Sequence, residues 1–140
     1  MANIRGLHHC AIAAHDMEAM TAFYRDVVGL EPHSEKTNWL RAGDDYVVHL
    51  MPAKDHPLGN GRIGQHFALE VRSLREIAAR LLSAGHQPYQ ASLDYDIHWI
   101  EDAAADSLDH GIGTVFVSDP EGNTVEFVQP DQGIFARYPL

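Results

Sequence analysis

The sequence predicts an α+β chain built from two similar modules, each a strand, a helix and then further strands. Three observations predict it. The segment His9-Cys10-Ala11-Ile12-Ala13-Ala14 is paralleled by His66-Phe67-Ala68-Leu69-Glu70-Val71, an offset of 66 − 9 = 57, and recurrence at a fixed offset marks paired structural units. After each copy the apolar residues take up helical spacing, and after each helix they take up strand alternation. The 140 residues fit a single domain, with module one over about 6–53 and module two over about 64–130.

The elements follow in order. Residues 9–14 alternate as a strand, with Cys10, Ile12 and Ala14 on a bulkier face and His9, Ala11 and Ala13 on the other. Asp16 then offers an N-cap oxygen, and Met17, Met20, Tyr24 and Val27 recur at helical spacing up to Gly29. Trp39-Leu40-Arg41 and residues 46–51 read as strands around the turn Gly43-Asp44-Asp45. Residues 54–63, rich in Pro and Gly, read as a linker. In the second module Phe67, Leu69 and Val71 share the bulky face. Ser73-Leu74-Arg75-Glu76 matches a capping box, and Leu74, Ile77, Leu81 and Leu82 follow a helix to Gly85. Residues 88–113 read as a long loop carrying Tyr89, Tyr95, His98, Trp99 and a run of acids; loops of that length are functional or mobile excursions. Thr114-Val115-Phe116-Val117 and residues 124–128 read as a hairpin about Asp119-Pro120-Glu121-Gly122-Asn123.

Composition narrows the function. Asp and Glu number 20 against 10 Lys and Arg, a formal net charge of −10, so an anionic partner such as nucleic acid or a membrane surface is disfavoured. No apolar run approaches the ~20 residues of a membrane span. The first six residues lack the charged and apolar regions of a secretory leader, and one cysteine fits a reducing cytoplasm. Histidine is the anomaly: ten residues, as many as Lys and Arg together.

The repeat gives some of these histidines a position. His9 and His66 occupy equivalent places on faces lined by small residues. Aligning Val47-Val48-His49-Leu50 with Thr124-Val125-Glu126-Phe127 sets His49 on Glu126. A strand carboxylate needs a cation, a strong donor or solvent. Imidazole and carboxylate are ligands for Zn, Ni, Mn or Fe(II), and two His with one carboxylate describe the facial triad of non-heme Fe(II) enzymes; a fourth protein ligand suits Lewis-acid chemistry better. His9, His49, His66 and Glu126 are therefore the candidate metal ligands. His98 and His110, in or near the long loop, are candidate proton shuttles. His8 is expected on the face opposite His9 with a structural role, and Cys10 faces the core.

At these residues the chain resembles the vicinal oxygen chelate superfamily, which includes glyoxalase I, methylmalonyl-CoA epimerase, fosfomycin-resistance enzymes, extradiol dioxygenases and bleomycin-resistance proteins. The resemblance spans about residues 6–130. It is carried by His9 through Ala22-Phe23-Tyr24 to Gly29-Leu30, and by residues 119–123 leading to Glu126. It implies two βαβββ modules forming a cupped mixed β-sheet with helices outside, around one divalent metal (Fe, Zn, Ni, Mn or Co). It implies a small-molecule substrate and a homodimer. It places His9, His66 and Glu126 on metal-ligand positions, and His49 where glyoxalase I has Glu and the epimerases Gln. With His49 in place of a carboxylate, Glu126 is the evident ligand able to act as base.

The expectation is thus a metal-dependent, glyoxalase-like lyase or isomerase, with Glu126, His49 and His110 as catalytic candidates and Trp39, Tyr95, His98 and Trp99 beside the substrate. An extradiol-type Fe(II) dioxygenase using His9, His66 and Glu126 is the alternative. Asp109-His110 is similar to a motif of those enzymes, but Phe116 stands where they tend to carry Tyr. A non-catalytic cup stacking an aromatic or antibiotic ligand on Trp39, Tyr95 or Trp99 is the third reading.

Overall fold

The computed structural model describes residues 3–137; Met1 and Ala2, part of the start read above, and residues 138–140 lie outside the described residues. Contacts divide the chain into two units, Met1–Pro57 and Leu58–Leu140.

In the first unit β1 (Cys10–Ala14) enters α1 (Met17–Ala22), capped by Asp16, whose carboxylate accepts from the Ala19 N–H at 3.0 Å. The expected helix does not run on unchanged. From Phe23 to Val28 it widens into a π-helical turn that closes at Gly29. The wider turn tucks two consecutive rings inside, Phe23 and Tyr24, while Arg25 and Asp26 stay outside, paired at 2.7 Å. The chain then forms β2 (Glu31–Pro32), β3 (Trp39–Ala42) and β4 (Asp45–Pro52). The sheet order is β1-β4-β3-β2, with β1 parallel to β4 and the rest antiparallel. The bulky face behaves as read: Ile12 and Ala14 are buried, with Leu40, Val48, Leu50 and Met20 completing the core. Each fully buried aliphatic side chain of this kind contributes roughly 1.5–3 kcal/mol.

The β3–β4 ladder is irregular. Ala42 pairs with Asp45 and Arg41 with Tyr46, but Leu40 pairs with Val48 and Trp39 with His49. Val47 is the extra residue of a β-bulge. Without it Trp39 would lie across from Val48 and face the core.

In the second unit β5 (His66–Glu70) leads to α2 (Leu74–Ser83), where Ser73 Oγ accepts from the Glu76 N–H at 3.1 Å and Leu74, Ile77, Ala78 and Leu81 are buried. The stretch read as a long loop is in part a hairpin, β6 (Tyr89–Ala91) with β7 (Ile97–Trp99). Its strands are three residues each, too short to register as a period, and acids interrupt the apolar positions. β8 (Val115–Ser118), β9 (Thr124–Val128) and the short α3 (Gly133–Arg137) follow. The sheet order is β5-β9-β8-β6-β7, with β5 parallel to β9.

The turn between β8 and β9 is built on Asp119. Its carboxylate accepts from the backbone N–H groups of Glu121 and Asn123 and from Asn123 Nδ2, each at 2.9 Å. Gly122 follows with φ +84°, and a Cβ there would stand 2.2 Å from the Gly59 carbonyl oxygen. Gly85 has a similar φ, +85°, with nothing within 4 Å. A left-handed L-residue costs about 1–2 kcal/mol, so Gly85→Ala should lose about that much. Gly122→Ala should lose about 2 kcal/mol more, because backbone must move as well. Urea denaturation midpoints of the two variants measure the difference.

Candidate functional site

Each sheet sets one row of residues across its strands. In the first unit Ala11 of β1, His49 of β4 and Trp39 of β3 are register partners. In the second, Ala68 of β5, Glu126 of β9 and Phe116 of β8 occupy the same places. The repeat therefore extends beyond the ligand candidates. A small residue lies on one side of the polar one, leaving room, and an aromatic ring lies on the other.

In the first unit Trp39 stacks on His49, ring centroids 3.7 Å apart and planes at 10°. His9 meets Trp39 edge-on at 4.7 Å and lies 5.9 Å from His49. Burial pushes the His49 imidazole below its ordinary 6.5, and His9 beside it adds to the shift. A neutral imidazole keeps a lone pair free for a metal. His8 does not turn away from His9 as expected. Its Nδ1 lies 2.8 Å from His9 Nδ1. Strand alternation does not govern this pair, because β1 begins only at Cys10.

In the second unit His66 Nε2 lies 2.9 Å from Glu126 Oε2. Glu126 is 6% exposed, a depth at which a carboxylate requires a partner. His66 Nδ1 faces the Ile63 carbonyl oxygen at 2.5 Å, which sets the ring so that Nε2 points to the carboxylate. Phe116 meets His66 edge-on at 5.6 Å, as Trp39 meets His9. Sequence reading missed the Ile63 carbonyl, since a backbone acceptor leaves no trace in residue type.

The remaining candidates lie elsewhere. Trp99 is the register partner of Tyr89, which partners Phe116, so Trp99 belongs to the face of Glu126 but at the sheet edge, 54% exposed. His98 partners Gln90 and alternation turns it to the opposite face. There it stacks on His110 at 4.8 Å, and the His110 N–H donates to Gln90 Oε1 at 3.3 Å. Neither His98 nor His110 is brought to the row of Glu126. Tyr95 sits at the hairpin tip with φ +64°, 63% exposed. Among the described residues, no three His, Cys, Asp or Glu side chains form a group able to hold a metal; the candidate ligands stand as one pair in each unit.

The model of the Glyoxalase/Bleomycin resistance protein/Dioxygenase superfamily matches residues 6–127, and the chain belongs to that superfamily. Among solved structures, the trypanothione-dependent glyoxalase I of Leishmania major is 18% identical with TM-score 0.59, covering 90% of this chain and 87% of its own. An integron cassette protein from the mobile metagenome of the Halifax Harbour sewage outfall is 19% identical with TM-score 0.62, over 90% of this chain and 99% of its own. TnmS3, an antibiotic binding protein from Streptomyces sp. CB03234, is 19% identical with TM-score 0.53, over 93% and 99%. At these identities the likeness is one of fold, and the fold serves both an enzyme and a binder. No curated protein matches the chain significantly. No helix among the described residues is long and apolar enough to cross a membrane.

The superfamily is in general metal-dependent, and the donors present fit a divalent cation. Within each unit the pair present, His9 with His49 or His66 with Glu126, is of the donor types such ions take, and His66 Nε2 lies 2.9 Å from Glu126 Oε2. Trp39 covers one face of His49, so Trp39→Ala should return water to that ring. The His49 titration, followed by imidazole proton shifts in the metal-free protein, should then move up toward 6.5.

Proposed function

We propose that the chain is a divalent-metal-dependent enzyme acting on a small molecule with two adjacent oxygen atoms, as a glyoxalase-like lyase or isomerase. The supporting observation is Glu126. A carboxylate 6% exposed on a central strand, with one imidazole nitrogen at 2.9 Å, carries a desolvation cost that a metal cation would offset. His9, His49, His66 and Glu126 would be the metal's ligands. When bound, the metal supplies Lewis acidity toward the two substrate oxygens.

The chain's own residues do the rest. Glu126 Oε2 accepts the proton from the carbon that bears the hydroxyl and returns it to the adjacent carbonyl carbon, while the hydroxyl proton passes to the other oxygen, so that carbonyl and hydroxyl exchange places. His49, kept neutral, is the second acceptor. Trp39 and Phe116 wall the row without adding an acid of their own; Phe116 in particular has no hydroxyl to give a proton. His98 and His110 play no part, since they stack on the other face of their sheet. The family further leads us to propose a homodimer working in the cytoplasm.

Metal analysis after reconstitution tests the reading directly. About one divalent metal per chain is the expected result, and less than about 0.2 overturns it in favour of a non-catalytic binder. Glu126→Gln keeps the shape but removes the charge, and should weaken metal binding at least ~10–100-fold. The wild-type protein should exchange solvent deuterium into an α-hydroxycarbonyl or hemithioacetal substrate without taking up oxygen. Oxygen uptake on a catechol with Fe(II) would instead establish the ring-cleaving reaction.

A further inference from the structure

The net charge of the chain is not spread evenly. Residues 81–136, between Arg80 and Arg137, hold ten Asp or Glu and no Lys or Arg; the other positions hold ten of each sign. This one stretch accounts for the whole formal charge of −10. It contains the β6–β7 hairpin together with β8 and β9, all the strands of the second unit's sheet that follow α2.

A cavity of about 480 Å³ opens in that region, lined by Leu82, Gln87, Trp99, Ile100 and Glu101. Its size lies within the ~300–1,000 Å³ of ligand pockets. Pairing of the hairpin continues past Tyr89–Trp99, because the Ile100 N–H donates to the Pro88 carbonyl at 3.0 Å. Gln87 and Glu101 flank that pair in the chain, and both line the cavity with Trp99. The Trp99 indole is braced on one side by Tyr89, edge-on at 5.3 Å, and is otherwise 54% exposed. Among the described residues the Glu101 side chain has no ion pair or hydrogen bond. Leu82 stands in the last turn of the ten-residue α2, whose carboxyl end carries the negative pole of the helix dipole. Arg80 is the nearest basic residue in sequence but does not line the cavity.

We propose that this cavity binds an organic cation, an amine or quaternary ammonium carried on an apolar body. The cation lies against the Trp99 ring, where the face of the π-system attracts positive charge. Glu101 and the helix end supply the opposite charge, Gln87 a hydrogen-bonding amide, and Leu82 and Ile100 an apolar floor. The site is independent of the His66–Glu126 pair and of the enzyme reading. It uses the acidity of the chain, which nothing in the metal chemistry requires beyond Glu126.

The test compares choline with its neutral isostere 3,3-dimethylbutan-1-ol on the full chain, following the two indole N–H resonances, assigned with Trp39→Phe. Choline should shift the Trp99 resonance saturably with a Kd of about 1 mM, and the alcohol should bind at least ~10-fold more weakly. Glu101→Gln, a change at an exposed side chain, should weaken choline about 3–10-fold. Trp99→Ala should abolish binding as read on the Gln87 side-chain amide. Equal affinity for choline and the alcohol, choline binding unchanged by Glu101→Gln, or no saturation up to about 50 mM would each overturn the proposal.

Discussion

The register of each sheet is the constraint on which the site depends. A strand offers its side chains alternately to two faces, so a slip of one residue would bury His49 or Glu126 in the core and expose Val48 or Val125. Both units prevent the slip in the same way. A parallel partner fixes one side of the polar residue with Ala11 or Ala68, and an antiparallel partner fixes the other with Trp39 or Phe116. The core residues Val48, Leu50, Val125 and Phe127, all fully buried, hold the alternate positions. The apolar packing that stabilises each unit is therefore what aims its polar row.

The two rows differ in chemistry while agreeing in geometry. His49 lies under a parallel indole, which shields it and favours its neutral form. Glu126 lies beside a phenyl ring and takes its compensation from His66, which a backbone carbonyl orients in turn. One unit thus presents a shielded imidazole and the other a buried carboxylate.

Much of this was legible in the sequence, because the decisive signals were local. Asp16 and Ser73 cap helices where their side chains predict. Asp119 through Asn123 turns the chain where Pro and Gly predict, and each copy of the repeat opens on a strand that leads into a helix. What escaped depended on structure of longer range. The π-helical turn leaves a normal helical pattern around Phe23 and Tyr24. The strands β6 and β7 are each shorter than one recognisable period. His8 was assigned a face by an alternation that does not yet operate before Cys10. Charge segregation is present in the residues but does not show in the net charge of the whole chain.

The bulge at Val47 has a wider meaning. Trp39 and His49 are separated by the same interval as Phe116 and Glu126, 49 − 39 = 126 − 116 = 10. One hairpin spans it with a tight turn and an extra residue in the strand, the other with a longer turn and a regular ladder. The two copies have thus diverged in the shape of their hairpins while conserving the interval. Such hairpins are interchangeable parts: the stretch between ring and ligand can be rebuilt, or exchanged between modules, as long as both of its ends arrive on the same face.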